Sequence, residues 1–234
     1  MNKNELNEYI KKAEEGDVNS QVLLGLTYLN GTDEIPTNDK EAFKWFKVAA
    51  EQGNPIAQFH LGKCYFYGHG VRQDQSEAIR WFKAAAEQGH TDAQKMLGHC
   101  YIWGHGVRRD FNEAFRWHKA AAEQGDASAQ FMIGSSYYSG ETVKQDYKEA
   151  FRWYKAAAEQ GHARAQFYLG ACYHFGTGAK QDYKEAYYWY LISSRNGHTV
   201  AAQEVKRIEN KLTYQQKEEV QDRVNEWFRT HPKG

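Results

Sequence analysis

Apolar residues recur along the chain at helical spacing, with polar residues between them. One stripe, at i, i+4, i+7 and i+8, consists of Ala57, Leu61, Cys64 and Tyr65. A second, at i, i+3, i+4 and i+7, consists of Ala78, Trp81, Phe82 and Ala85. Each stripe predicts one buried face of a helix. A glycine-bearing segment separates the two stripes, so the pattern predicts two helices joined by a turn.

This helix pair is repeated along the chain. Five tryptophans stand 36 residues apart, at Trp45, Trp81, Trp117, Trp153 and Trp189. A column of glycines inside the first helices follows the same period at Gly62, Gly98, Gly134 and Gly170, and Gly25 extends it into the first unit. Glycine inside a helix costs about 1 kcal/mol relative to alanine. We therefore expect a packed helix to approach closely at these positions, within a tandem array.

The repeat resembles the Sel-one-like repeat family, a relative of the tetratricopeptide (TPR) repeats. The resemblance rests on A-x-A-Q-x-x-L-G-x-x-Y-x-x-G followed by E-A-x-x-W-x-x-x-A-A-x-x-G, and it covers about five repeats from near Ala13 to Gly197. It implies an all-α, TPR-like fold, a right-handed α/α superhelix (solenoid) of antiparallel helix pairs. Proteins of this kind serve as protein-binding scaffolds or adaptors, so we expect a protein or peptide partner.

The register predicts one solenoid domain over residues 1–234. An N-terminal helix occupies 1–16, five repeats occupy 17–197, and a partial sixth repeat with a C-terminal capping helix occupies 198–234. An aspartate column lies just before the second helices, at Asp74, Asp110, Asp146 and Asp182. A side-chain oxygen at that position accepts a hydrogen bond from a free helix N–H, so we predict N-caps.

The charge pattern excludes some partners. The 30 basic and 30 acidic residues give a formal net charge of zero, which provides no general attraction to nucleic acid or to an anionic membrane. A basic row on the second helices, including Arg80, Arg116 and Arg152, follows Glu77, Glu113 and Glu149 by three residues, which predicts a salt-bridged outer face. No apolar run reaches 18 residues and the N-terminus is polar, so we expect a soluble, cytoplasmic protein that is monomeric alone.

No motif of metal or catalytic chemistry stands out. Cys64, Cys100 and Cys172 share one position on the buried stripe, which predicts buried free thiols. The chain has no H-E-x-x-H, C-x-x-C, P-loop or G-x-S-x-G motif, so we expect no cofactor, no metal and no enzymatic activity. Two alternatives remain open. One is an immunity or inhibitory protein that forms one tight complex with a toxin or enzyme, and the other is a β-lactam-binding or hydrolysing enzyme.

The face of the first helices opposite the core stripe is the candidate binding site, because TPR-like solenoids usually present their groove there. Its residues vary between repeats, whereas the core columns are constant. We predict partner contacts from Phe59, Lys63, Phe66, Lys95, His99, Phe131, Tyr138, Arg164, Phe167 and His174. Tyr67 and its equivalents Trp103, Ser139 and Phe175 lie either at the groove edge or at the seam between repeats.

Overall fold

The structure, a computed structural model, describes residues 2–231. These residues form thirteen α-helices and one short 3-10 helix, and they contain no β-strand. The predicted all-α fold is therefore confirmed. Contact density divides the chain into two compact units with a boundary between Ala120 and Ala121. We call them unit 1 and unit 2 and describe each by itself.

Unit 1 contains six complete helices, and the seventh helix contains the boundary. The helices are α1 Lys3–Glu14, α2 Val18–Asn30, α3 Asp39–Glu51, α4 Pro55–Tyr67, α5 Gln75–Glu87, α6 Thr91–Trp103 and α7 Phe111–Glu123. Each helix packs against the next in sequence from α1 to α6. The first helices of the repeats are α2, α4 and α6, and the second helices are α3, α5 and α7.

Unit 2 continues the same alternation and ends with a different arrangement. Its helices are α8 Ala127–Ser139, α9 Tyr147–Glu159, α10 Ala163–Phe175, α11 Tyr183–Arg195, α12 Ala201–Ile208 and α13 Tyr214–Thr230, with the 3-10 helix at Glu209–Lys211. Neighbouring helices from α8 to α12 pack together within the unit, and α13 packs back on α11. Trp227 of α13 meets Trp189 edge to face, with ring centroids 5.6 Å apart.

An aromatic ring lies directly on the helix-interior glycine in each repeat. In unit 1, a Cβ placed on Gly62 would lie only 2.6 Å from the Phe82 ring, and in unit 2 one on Gly170 would lie 2.7 Å from the Tyr190 ring. The remaining pairs are Gly25 with Phe46, Gly98 with His118, and Gly134 with Tyr154. All five rings are buried. The expected close approach of a packed helix is confirmed, and it explains why these positions hold glycine.

A buried glutamine joins three successive helices. The side-chain amide of Gln58 on α4 donates to the Ala50 carbonyl of α3, and its oxygen accepts from Gln88 at the end of α5 at 2.8 Å. Equivalent bonds in unit 2 connect Gln166 to the Ala158 carbonyl and to Asn196. The glutamine provides partners for polar groups that would otherwise be buried unpaired, which is costly.

The predicted aspartate caps are confirmed. Asp74 accepts from the backbone N–H of Glu77 at 2.9 Å, and Asp110, Asp146 and Asp182 make the same type of bond at the start of α7, α9 and α11. The final helix begins after Thr213, which forms a reciprocal capping box with Gln216. Burial varies along the tryptophan column, because Trp81 and Trp153 are only half-buried whereas the other three are buried.

The three cysteines are buried free thiols, as predicted. Burial raises the pKa of Cys64 to about 11 and the pKa of Cys100 and Cys172 to about 12. At neutral pH each sulfur therefore stays protonated. Because the thiolate is the nucleophilic form, these thiols are unreactive.

We expect Gly62→Ala to destabilise the protein by about 1–3 kcal/mol, because the new methyl group would overlap the Phe82 ring. Helix propensity alone predicts the opposite sign, a gain of about 1 kcal/mol. Urea titration of the free energy of unfolding measures the change. In a Phe82→Leu background the smaller side chain should reduce the penalty. A stabilising effect of Gly62→Ala in the wild-type background would contradict the close contact.

Candidate functional site

The predicted contacts of unit 1 lie on two neighbouring first helices, α4 and α6. Phe59, Lys63 and Phe66 are half-buried on α4, Lys95 is half-buried on α6, and His99 on α6 is exposed. The structure places them on the first helices, but Phe59 and Phe66 pack against the buried Phe82 ring, with centroids 5.9 and 6.2 Å apart, so the expected separation of this face from the core is wrong for these two residues. Their partners differ, however, and decide how much of each side chain is available to a ligand.

Phe59 is engaged in packing between repeats. Its ring stacks on His90, with centroids 4.7 Å apart. His90 is the N-cap of α6, where its Nδ1 accepts a hydrogen bond from the backbone N–H of Ala93 at 3.3 Å. An accepting Nδ1 requires a neutral ring, and burial lowers the pKa of His90. Phe59 therefore supports the start of the next first helix.

Lys63 and Lys95 differ in their electrostatic environment. Lys95 forms an ion pair with Asp92 at 2.8 Å. The ammonium group of Lys63 lies 5.6 Å from the centroid of the Phe59 ring, a cation–π contact. Among residues 2–231, no carboxylate lies within ion-pair distance of Lys63.

Lys63 borders a concave pocket in unit 1 of about 250 Å³. The side chains that line it are Leu29, His60, Lys63, Cys64, Tyr67 and His69. Burial, together with the charge of Lys63, lowers the pKa of His60 to about 4, and the His60 ring stacks on Phe46. The lining includes one permanent cation and no carboxylate. Beyond the lining, Asp39 faces Nδ1 of His69 at 3.3 Å.

Tyr67 forms the exposed wall of this pocket. It is the last residue of α4 and is 53% exposed, and the equivalent Trp103 at the end of α6 is 65% exposed. These residues are not buried at a seam between repeats. The sequence left their position open because it lies off the core stripe and next to the glycine that ends the helix.

The predicted contacts of unit 2 are also partly engaged in packing. Phe131 on α8 is only 9% exposed and stacks on His162, with centroids 5.0 Å apart. Phe167 on α10 is half-buried and stacks on His198 at 4.6 Å. The exposed Arg164 guanidinium lies 5.9 Å from the Phe131 centroid. No ion-pair partner of Arg164 is present in the described part of the chain.

The other two unit 2 residues lie where first helices end. Tyr138 is exposed and meets Tyr147 edge to face, with centroids 5.4 Å apart. His174 is half-buried and stacks on the exposed Phe175 at 4.2 Å. Exposed aromatic side chains therefore concentrate at the helix ends in both units, and the aromatic residues earlier in the first helices are more deeply packed.

Five consecutive stretches of the chain match the Sel1 repeat, at residues 18–54, 55–90, 91–126, 127–162 and 163–198. The chain belongs to the Sel1 repeat family. The resemblance of the sequence to this family is thus confirmed. A solved Sel1 repeat protein from Oxalobacter formigenes is 35% identical with a TM-score of 0.78, and the match covers 87% of this chain and 59% of that one.

Two further similarities are more limited. An F-box protein of Arabidopsis thaliana is 40% identical over 67 residues, which are 29% of this chain and 18% of that protein. An immunity protein from Pseudomonas aeruginosa is 21% identical with a TM-score of 0.48, covering 82% of this chain and 73% of that one, and this likeness carries no argument about function. The chain spans less than two thirds of the Oxalobacter and Arabidopsis proteins.

The Sel1 array also contains a recurring contact that the sequence analysis missed. Phenylalanine and histidine occur 31 residues apart in three pairs, Phe59 with His90, Phe131 with His162, and Phe167 with His198, and each pair is stacked. The shared spacing was the available signal. Each pair joins one first helix to the residues at the start of the next first helix, so a pattern within a single helix does not reveal it.

The described residues contain neither a candidate metal cluster nor a helix suited to spanning a membrane. No group of three or more His, Cys, Asp or Glu side chains within residues 2–231 is arranged to hold a metal ion. None of the helices in that range is both long and apolar enough to cross a bilayer.

Acidification should destabilise this Sel1 array. The pKa of His60 falls from 6.5 to about 4 on folding, so below pH 6.5 the unfolded chain takes up a proton that the folded chain resists. Stability is therefore lost as the pH falls from about 6.5 to 4, with up to about 1.4 kcal/mol per pH unit from His60. Urea titrations at pH 7.5 and 5 measure the loss.

Two neutral replacements provide the control for this prediction. Both His60→Phe and His60→Gln remove the titrating group, so each should reduce the difference between the two pH values by a similar amount. A difference as large as that of the wild type in both variants would contradict the assignment to His60.

Proposed function

We propose that this protein is a non-catalytic interaction scaffold whose unit 1 binds an extended segment of a partner protein on α2, α4 and α6. The observation that carries the proposal is the pocket beside Tyr67, which joins a concave apolar floor to a large exposed aromatic ring. Large aromatic residues dominate the binding energy of protein interfaces. The Sel1 repeat fold supplies the surface, and the variable residues give it selectivity.

The repeat explains which side chains are available for binding. Positions that hold the helices together are nearly constant, as Gly62 and Gln58 show with their equivalents. The positions of Lys63 and Tyr67 vary, because their equivalents in the next repeat are His99 and Trp103. Since packing does not specify these two side chains, selection for a particular partner is free to act on them.

The size of the pocket favours a side chain of a larger partner. Small-molecule sites usually enclose about 300–1,000 Å³, and this pocket measures about 250 Å³. A single apolar side chain inserts against Leu29 and Tyr67, while the rest of the segment lies along the exposed helix surface. This arrangement fits an anchored peptide better than an enclosed metabolite.

The chemistry of the pocket supports a non-catalytic role. Cys64 and His60 both line it, but burial raises the pKa of the thiol to about 11 and lowers that of the imidazole to about 4. At neutral pH the sulfur is protonated and the imidazole is neutral. The imidazole is then too weak a base to deprotonate the thiol, so the pair does not form an activated nucleophile.

Peptide selection tests the proposal. Peptides of 12 residues are selected from a random phage library on the wild-type protein, and their affinities are measured by fluorescence anisotropy. Tyr67→Ala should weaken binding about tenfold or more, because an aromatic anchor at an interface contributes about 1.4 kcal/mol or more. Phe111→Ala is the matched control, because Phe111 is equally exposed at 52% and does not line the pocket.

The outcomes separate three possibilities. A loss of peptide affinity in Tyr67→Ala that is absent in Phe111→Ala supports the unit 1 site. Equal loss in both variants, or binding unaffected by Tyr67→Ala, places recognition elsewhere and overturns the proposed site. Failure to select any peptide contradicts the peptide-binding scaffold and favours a partner that requires a folded surface, as an inhibitory protein would.

A further inference from the structure

Several positive charges on the second helices are neutralised locally. Arg80 donates to Glu77 at 2.7 Å, and Arg116 and Arg152 contact Glu113 and Glu149 in the same way. Lys47 lies 3.9 Å from Glu51. The salt-bridged outer face expected from the sequence is thus present for these residues. Such pairs are solvated and contribute little to stability, but they leave little uncompensated charge for a partner.

Lys63 and Arg164 on the first helices lack this compensation. Each lies over a phenylalanine ring, Lys63 in unit 1 and Arg164 in unit 2, and neither has a carboxylate within ion-pair distance in residues 2–231. A cation over an aromatic ring is attracted by the negative face of the ring and keeps its full charge. The first-helix surface of each unit therefore presents a cation without an ion-pair partner among residues 2–231, although Lys63 and Asp92 still interact at longer range.

The acidic groups nearest the unit 1 pocket have other partners. Asp92 is held by Lys95 at 2.8 Å, and Asp39 faces His69. The only permanent charge in the lining is that of Lys63, which is half-buried. Partial burial strengthens its interaction with an incoming opposite charge, because less water screens the pair.

We propose that the segment bound by unit 1 is acidic: an Asp or Glu carboxylate pairs with Lys63 while a neighbouring large apolar side chain enters the pocket against Leu29 and Tyr67. This inference rests on the proposed function and specifies the chemistry of the partner. Charge complementarity favours this occupant, because the pocket lining contains one permanent cation and no carboxylate. A nucleic acid is a poorer fit, since its binding requires several phosphate contacts along a basic surface.

The test uses the 12-residue peptides selected on the wild-type protein. They should be enriched in Asp or Glu beside a large apolar residue. Replacing that acidic residue by Asn or Gln should weaken binding about fivefold at 50 mM salt, and the acidic peptide should lose affinity at 500 mM salt. Lys63→Gln should weaken the binding of the acidic peptide by a similar factor and leave the affinity for the neutral peptide unchanged.

Lys47→Gln is the matched control. It removes the same charge from a lysine that is already paired with Glu51, so it should leave the affinity unchanged. Circular dichroism and urea titration should be used to check that both variants fold. Equal effects of Lys63→Gln and Lys47→Gln would show that only the net charge matters, and they would overturn the specific ion pair.

The remaining outcomes distinguish the inference from the function on which it rests. One result is that the selected peptides depend on Tyr67 but lack acidic residues, and another is that their affinity is unchanged in Lys63→Gln. Either result overturns the acidic partner and leaves the scaffold proposal intact. Failure to select any peptide overturns both. Binding of a 12-nucleotide single-stranded DNA that depends on Lys63 and is tighter than that of the peptides would replace the acidic peptide by a nucleic acid.

Discussion

The packing of an aromatic ring on a glycine controls the geometry of each helix pair. Because Gly62 has no side chain, the ring of Phe82 rests on the backbone of α4, and the two helices approach at a distance that no other residue would permit. The small Ala78 and Ala85 beside the ring are then fully buried. The Phe59 and Phe66 rings of α4 also pack against Phe82, so part of the variable face is used in this contact, and Tyr67 at the end of the helix is left exposed.

The difference between constant packing positions and variable positions decides what the sequence alone could predict. Asp74, Cys64 and Gly62 each make the same contact in their own repeat as their equivalents make elsewhere, so periodicity predicts the helix pairs, the caps and the buried thiols. The stack of Phe59 on His90 depends on where one first helix lies relative to the next. No pattern within a helix encodes that distance. Tyr67 could not be assigned for the same reason, since its exposure depends on how the end of α4 lies against its neighbours.

The histidine stacks change the meaning of the aromatic residues on the first helices. An aromatic residue at a variable position suggests binding, but Phe131 is 9% exposed and its ring is occupied by His162. The same histidine caps α10 through Nδ1, so one side chain fixes both the helix start and the ring of the preceding repeat. Stacking therefore uses the middle of the first helix, and the aromatic residues left for a partner are those at its end.

Ion pairs within one helix can be predicted from the sequence, whereas the charges around a residue from other helices cannot. Glu77 and Arg80 lie three residues apart on one helix, so their pairing can be predicted from the sequence and is found in the structure. The isolation of Lys63 is a non-local property, because it depends on Asp92 being paired with Lys95 and on Asp39 facing His69. A net charge of zero argues against general attraction to polyanions, but it does not describe individual surfaces. Lys63 therefore has no carboxylate within ion-pair distance in residues 2–231, although the chain as a whole carries as many acidic as basic residues.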